Sequence, residues 1–249
     1  MGLFEPFLLS LIAGTATGVG GIIVLLLGKV SDRTVSLSMG FASGVMLLVS
    51  FNSLFLEAMR LITHAELILM FSLGALIITV LDLTLPHIEL TTRRDKGATS
   101  KMFRTGVLIA IGITLHNLPE GLVVTAGYTY TPRLGLIIAI AIMLHNIPEG
   151  IATAIPFSVV GMKPFKIAVL TFLFGLTEPV GALLGSVAFT FIGVEGAIGS
   201  ALAFAAGVMT YITADELIPV AHEYGHKHTV SVGLLLGIIF ALLVDVILS

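Results

Sequence analysis

Ile113-Thr-Leu-His-Asn-Leu-Pro-Glu-Gly121 and Ile142-Met-Leu-His-Asn-Ile-Pro-Glu-Gly150 decide the reading of this chain. In the first copy His116 and Glu120 are four residues apart, so on a helix they stack on one face. Asn117 lies one residue further round and can flank the same site. Pro119 has no N–H and crowds the preceding turn, which frees the Leu115 carbonyl and predicts a kink beside these side chains. Gly121 lets another backbone come close. The second copy repeats the set with His145, Asn146, Pro148, Glu149 and Gly150. Face to face, the two copies offer two imidazoles, two carboxylates and two amide oxygens. That donor set suits zinc and its borderline neighbours, including iron and manganese. The competing reading of each His-Glu pair is an internal ion pair that locks helix packing. Two matching copies, each with its proline and glycine, favour the metal site.

Outward from the motifs, the chain is apolar nearly throughout. Of its 249 residues 57% are hydrophobic and only 11% charged, with a mean hydropathy of +1.11. A water-soluble domain carries about 25% charged residues, so this surface belongs in a bilayer. Cysteine is absent, which excludes disulfides and thiolate metal sites. A membrane helix needs about 20 mostly apolar residues. Eight stretches qualify: Phe7–Leu27, Val35–Leu56, Leu67–Pro86, Thr105–Ala126, Leu134–Phe157, Phe165–Phe191, Ala197–Val220 and Val230–Leu248. The first is read as a permanent span, because no basic segment precedes it. Of the twelve Lys and Arg residues only Arg60 and Arg133 fall outside the connections 1–2, 3–4, 5–6 and 7–8. The positive-inside rule makes those connections cytoplasmic and both termini external, in a multi-pass cell-membrane protein.

Internal repeats order these spans. A constant offset of 163 residues pairs Phe41-Ala-Ser-Gly-Val-Met46 with Phe204-Ala-Ala-Gly-Val-Met209, Asn52 with Asp215, Gly74 with Gly237 and Asp82 with Asp245. Spans 1–3 (about 4–86) thus match spans 6–8 (about 165–249) in inverted orientation, around central motif helices at about 105–157. The expected fold is an all-α integral membrane protein, a single domain over 1–249. Its eight transmembrane helices form a 3+2+3 inverted-repeat arrangement, with a basic connection at about 87–104. Inverted repeats around a midplane site are typical of transporters that alternate access.

Other chemistry-bearing residues fall within or beside the spans. Glu178, in Gly175-Leu-Thr-Glu-Pro-Val-Gly181, is a candidate further ligand in a kinked segment, since an intramembrane carboxylate is costly to keep without a role. Asp215 and Glu216 either line an exit path or hydrogen-bond between helices. Asp82 and Asp245, near span ends, read as structural. Met46 is either a soft ligand or packing. His222, Glu223 and His226 either collect metal leaving the pore or are solvated polar residues.

Together these residues resemble the ZIP (Zrt-, Irt-like protein) metal transporters over essentially the whole chain. Asp215-Glu-Leu-Ile-Pro219 followed by His222-Glu223 is similar to the bacterial zinc permease branch. The resemblance implies uptake of Zn2+ into the cytoplasm, with Fe2+, Mn2+, Co2+ or Cd2+ as further substrates. It implies a two-metal centre between helices four and five, bridged at Glu120 and Glu149, with Glu178 contributing. It also implies a homodimer, and elevator-like movement of a bundle of helices one, four, five and six. Some relatives carry Gln-Asp where this chain has His145-Asn146, a departure at the second metal position. The central connection has His87 as its only histidine. The metal is cargo, so no cofactor, no enzymatic activity and no nucleic-acid partner are expected. The alternatives are an intramembrane zinc hydrolase and a proton-coupled carrier of organic solutes. The order His-x-x-x-Glu does not match the His-Glu-x-x-His of zinc hydrolases.

Overall fold

The computed structural model describes residues 4–27, 31–84, 96–188, 194–225 and 227–248. Among these, eight helices are long and apolar enough to cross a membrane. They are α1 (Phe4–Leu26), α2 (Asp32–Leu61), α3 (His64–Thr84), α4 (Lys101–Thr129), α5 (Pro132–Val159), α6 (Pro164–Val187), α7 (Gly196–Glu223) and α8 (His228–Ile247). No strand occurs among the described residues. The chain is an all-α, multi-pass membrane protein.

Several helices run beyond their apolar stretches because polar residues cap them. The Ser31 hydroxyl accepts from the Thr34 N–H at 3.2 Å, so α2 begins at Asp32 rather than Val35. The Thr131 hydroxyl accepts from the Leu134 N–H at 3.1 Å ahead of Pro132, which needs no N–H partner in the first turn. Residues 96–104, expected in the connection, are helical and continuous with α4. Once the buried span has nucleated a helix, each added residue gains its own hydrogen bond. Residues 85–95, with most of the expected connection and His87, and residues 189–191 of the expected sixth span lie outside the described residues.

Packing sorts the helices into two groups. α1, α4, α5 and α6 pack mainly on one another, while α2 pairs with α8 and α3 with α7. Helices in lipid gain little from apolar contact alone, so close approach at small residues does much of the joining. Gly44 of α2 abuts the Leu234 carbonyl of α8, and Gly237 of α8 abuts the Phe41 carbonyl of α2. The α3–α7 pair makes the same contacts 163 residues away, Gly207 on the Phe71 carbonyl and Gly74 on the Phe204 carbonyl. α3 and α8 turn apolar side chains outward, among them Ile68, Leu69 and Leu83, and Leu235, Leu243 and Val246. Between the two groups lies an apolar core containing Met39, Met46, Ile109, Ile113, Met209 and Ile212.

Among the described residues, three stretches within the spans depart from regular α-helix. α2 carries a π-helical stretch at Val49–Phe55 and α7 another at Thr213–Leu217, positions again related by the 163-residue offset. Such bulges re-aim the side chains that follow them. α6 is broken at Leu176 into Pro164–Gly175 and Thr177–Ala188. There Pro179 has no N–H for the Gly175 carbonyl.

Candidate metal centre

α4 and α5 run side by side, and their motifs meet at mid-length. Pro119 and Pro148 lie inside continuous helices. The motif glycines set how closely the neighbours approach. A Cβ at Gly121 would collide with the Glu178 carbonyl of α6, and one at Gly150 with the Thr17 carbonyl of α1. Each motif is thereby pressed against a different helix of the bundle, and their ligand faces turn toward each other.

Four side chains form the centre. His116 Nε2 lies 2.8 Å from Glu120 Oε1 and 3.4 Å from Glu149 Oε1. His145 Nε2 lies 2.5 Å from Glu120 Oε1. One ligand atom from each of His116, Glu120, His145 and Glu149 lies within 4.8 Å of all the others. Glu120 thus faces both imidazoles, and His116 faces both carboxylates. His116, Glu120 and Glu149 are buried, whereas the His145 side chain is 12% exposed.

Asn146 ties Glu178 to this group. Its Nδ2 donates to Glu178 Oε2 at 2.8 Å and to the Ala13 carbonyl of α1 at 3.1 Å. Asn117 Nδ2 donates to the Phe174 carbonyl at 3.3 Å, at the break of α6, where the Thr177 hydroxyl also donates. Both asparagines therefore spend their donors on the bundle and keep an acceptor free. Six buried oxygens of these residues have no hydrogen-bond partner among the described residues: Asn117 Oδ1, Glu120 Oε2, Asn146 Oδ1, both of Glu149 and Glu178 Oε1. Buried acceptors without donors are costly, because their lone pairs have lost water. Acceptors with no donor are what a cation would satisfy, and the carboxylate-imidazole mixture fits a borderline divalent metal.

A cavity of about 290 Å³ reaches this centre. Its inner end is formed by Glu120 and His145, and Ser53, Glu57 and Asp245 line it toward the α2–α3 turn. Its walls are mostly apolar side chains of α2, α5 and α8.

The remaining sequence candidates lie elsewhere. Met46 is buried in the apolar core and does not line the cavity. Asp215 and Glu216 gather with Asp82 in a second group on the face carrying the α3–α4 connection. Arg104, which the sequence reading used only for orientation, binds that group. Its Nη2 donates to Asp82 Oδ1 at 2.5 Å and also reaches the Asp82 carbonyl, and its Nη1 lies 3.8 Å from Glu216 Oε1. The Tyr211 hydroxyl donates to Asp82 Oδ2 at 3.1 Å. His222 is exposed, and Glu223 pairs with Lys101 at 2.6 Å. His226 lies outside the described residues.

Residues 86–245 match the model of the family described as ZIP Zinc transporter. The chain is 37% identical to the zinc transporter ZupT of Chlorobaculum parvum over 253 residues, covering 94% of this chain and 93% of the relative. It is 35% identical to ZupT of Streptococcus mutans, covering 95% of each. It is 37% identical to ZupT of Nitratidesulfovibrio vulgaris, covering 93% of this chain and 92% of the relative. These are transporters and not hydrolases, and with the family match and this length of similarity the chain belongs to the ZIP zinc transporter family.

Proposed function

We propose that the protein carries zinc into the cytoplasm by exposing the His116–Glu120–His145–Glu149 centre to the two sides of the membrane in turn. The observation that carries this reading is the set of buried carboxylate and amide oxygens without donors, reached by a cavity from one face. The names of the relatives support zinc as cargo. Imidazole and carboxylate ligands would also admit iron, manganese, cobalt and cadmium. In this reading Glu120 and Glu149 would bridge metals, and Asn117, Asn146 and Glu178 would complete the coordination, as the family resemblance implies.

The route follows from the helix groups. α1, α4, α5 and α6 are knit by glycine–carbonyl contacts and by Asn146, and α2–α8 and α3–α7 by their own glycine contacts. Between the groups the contacts described run through side chains, as where Gly112 of α4 meets the side chain of Ile212. Such an interface can slide, so the bundle would carry the metal past the other four helices, in the manner of an inverted-repeat carrier. The positive-inside bias makes the cavity-bearing face external, as uptake requires. The homodimer implied by the family resemblance completes the proposal.

Metal influx into proteoliposomes loaded with a fluorescent chelator tests this, with zinc, iron, manganese, cobalt and cadmium supplied in turn. Zinc-dependent, saturable entry is expected. Entry of no divalent metal, with the protein folded and inserted, would exclude the reading.

A further inference from the structure

The two faces of the molecule are closed unequally. On the α3–α4 face, Arg104 of α4 joins Asp82 of α3 and Glu216 of α7, and these three side chains are 23%, 11% and 7% exposed. That cluster ties the bundle to the other helix group. On the α2–α3 face the cavity lies where such a tie would be.

The sequence offsets supply the missing parts. The 29-residue offset between the motifs carries Arg104 onto Arg133, each twelve residues ahead of its motif histidine. The 163-residue offset carries Asp82 onto Asp245, Glu216 onto Ser53 and Asp215 onto Asn52. An inverted repeat applies both offsets at once. Every charged partner of Arg104 then has a counterpart on the opposite face. There the counterparts stand apart. Arg133 is exposed at the start of α5 and has no ion-pair partner among the described residues. Asp245 is exposed and accepts from Asn52 Nδ2 at 3.1 Å. Ile137 and Ile138, about one turn beyond Arg133, line the same cavity as Asp245.

We propose that Arg133 and Asp245 form the latch of the opposite state, closing over the cavity when the Arg104–Asp82–Glu216 cluster opens. This rests on the alternating-access reading above. The latches share no residue, and each joins the bundle to the other helix group at one face, so closing one and releasing the other is a single movement. Glu57, also at the cavity and paired with Arg60 at 3.0 Å, is the other carboxylate Arg133 meets on the way. The two latches differ in strength. Ser53 stands where the α3–α4 face has Glu216, so the Arg133 latch has one carboxylate fewer and yields more easily. Removing a charge pair of about 1 kcal/mol shifts a two-state population about fivefold. Arg133→Gln therefore favours the state described here, and Arg104→Gln favours its opposite.

The chain has no cysteine, so Arg133→Cys with Asp245→Cys can be linked by a short bifunctional thiosulfonate in the full-length protein in native membranes. Arg104→Cys with Asp82→Cys serves as the pair already in contact. Mass spectrometry of the linked peptides reads the link without reference to transport. Both pairs should link, and linking the first should abolish zinc entry until a reducing agent releases it. In a second arm, Arg133→Asp should slow transport and the exchange Arg133→Asp/Asp245→Arg should recover it. Failure of the Arg133/Asp245 pair to link where the Arg104/Asp82 pair links overturns the latch, as does an exchange no better than Arg133→Asp alone. An unmodified protein that moves no metal would instead count against the proposed function, and the peptide linkage would still decide the latch.

Discussion

Truncating Asn146 to Ala removes the side chain that, among the described residues, donates to Glu178 beside the candidate metal centre. Two hydrogen bonds are lost, to the Ala13 carbonyl at 3.1 Å and to Glu178 Oε2 at 2.8 Å. The first, between neutral groups, is worth about 0.5–1.5 kcal/mol and the second, to a carboxylate, about 1.5–3. Both acceptors are buried, so little of this is recovered from solvent. The metal-free protein should lose about 2–4.5 kcal/mol, or about 5–15 °C in Tm for a chain of this size. Asn146 Oδ1 is also an acceptor without a partner, so its removal should weaken metal binding as well. Zinc at 100 times the wild-type Kd stabilises the wild type by about 2.7 kcal/mol, and a tenfold weaker variant at the same zinc by only about 1.4. Thermal unfolding in detergent, with and without zinc, separates the two losses. A metal-free Tm within about 1 °C of wild type would refute the claim that Asn146 positions Glu178. An unchanged zinc increment would refute its place at the metal.

Three further outcomes are expected. The two histidines must be neutral to bind metal and the carboxylates ionised, so metal competes with protons. Affinity should fall as pH drops. Calorimetry near pH 6 in buffers of different ionisation enthalpy should detect protons released on zinc binding, and zero release would contradict a carboxylate-imidazole site. Gly150→Val should lower the yield of folded protein, read by size-exclusion chromatography, because α1 and α5 meet there at backbone contact; a normal profile would mean that the contact is not tight. A cysteine introduced by Thr99→Cys should be labelled only from the cytoplasm and one introduced by Gly2→Cys only from outside, and labelling of both from one side would reject the topology.

Much of this was legible in the sequence. Eight apolar runs and two copies of one motif pointed to the spans and to the four side chains that gather between α4 and α5, because i, i+4 spacing places His and Glu on one helix face. Glu178 was marked by the proline and glycines around it, which break α6 in the structure. The direction of Asn117 was less legible. Its position beside His116 suggested a shared site, yet its amide donates to the Phe174 carbonyl, a group exposed only because another helix breaks there. The Arg104 cluster was not legible, since its contacts join residues 22 and 112 positions apart, and helix periodicity carries no information about which helices meet. Tertiary packing likewise chose the positions of the π-helical stretches, which have no composition of their own.

Zinc entry into proteoliposomes containing equal amounts of wild type and of Glu120→Ala tests the central claim most directly. Glu120 faces both imidazoles and forms the inner end of the cavity, so on the proposed route the metal would meet it. Wild type should show saturable, zinc-dependent entry, and Glu120→Ala, inserted and folded to the same extent, should show none above protein-free vesicles. Equal rates from the two proteins would mean that zinc crosses by another path and that the paired motifs serve packing alone.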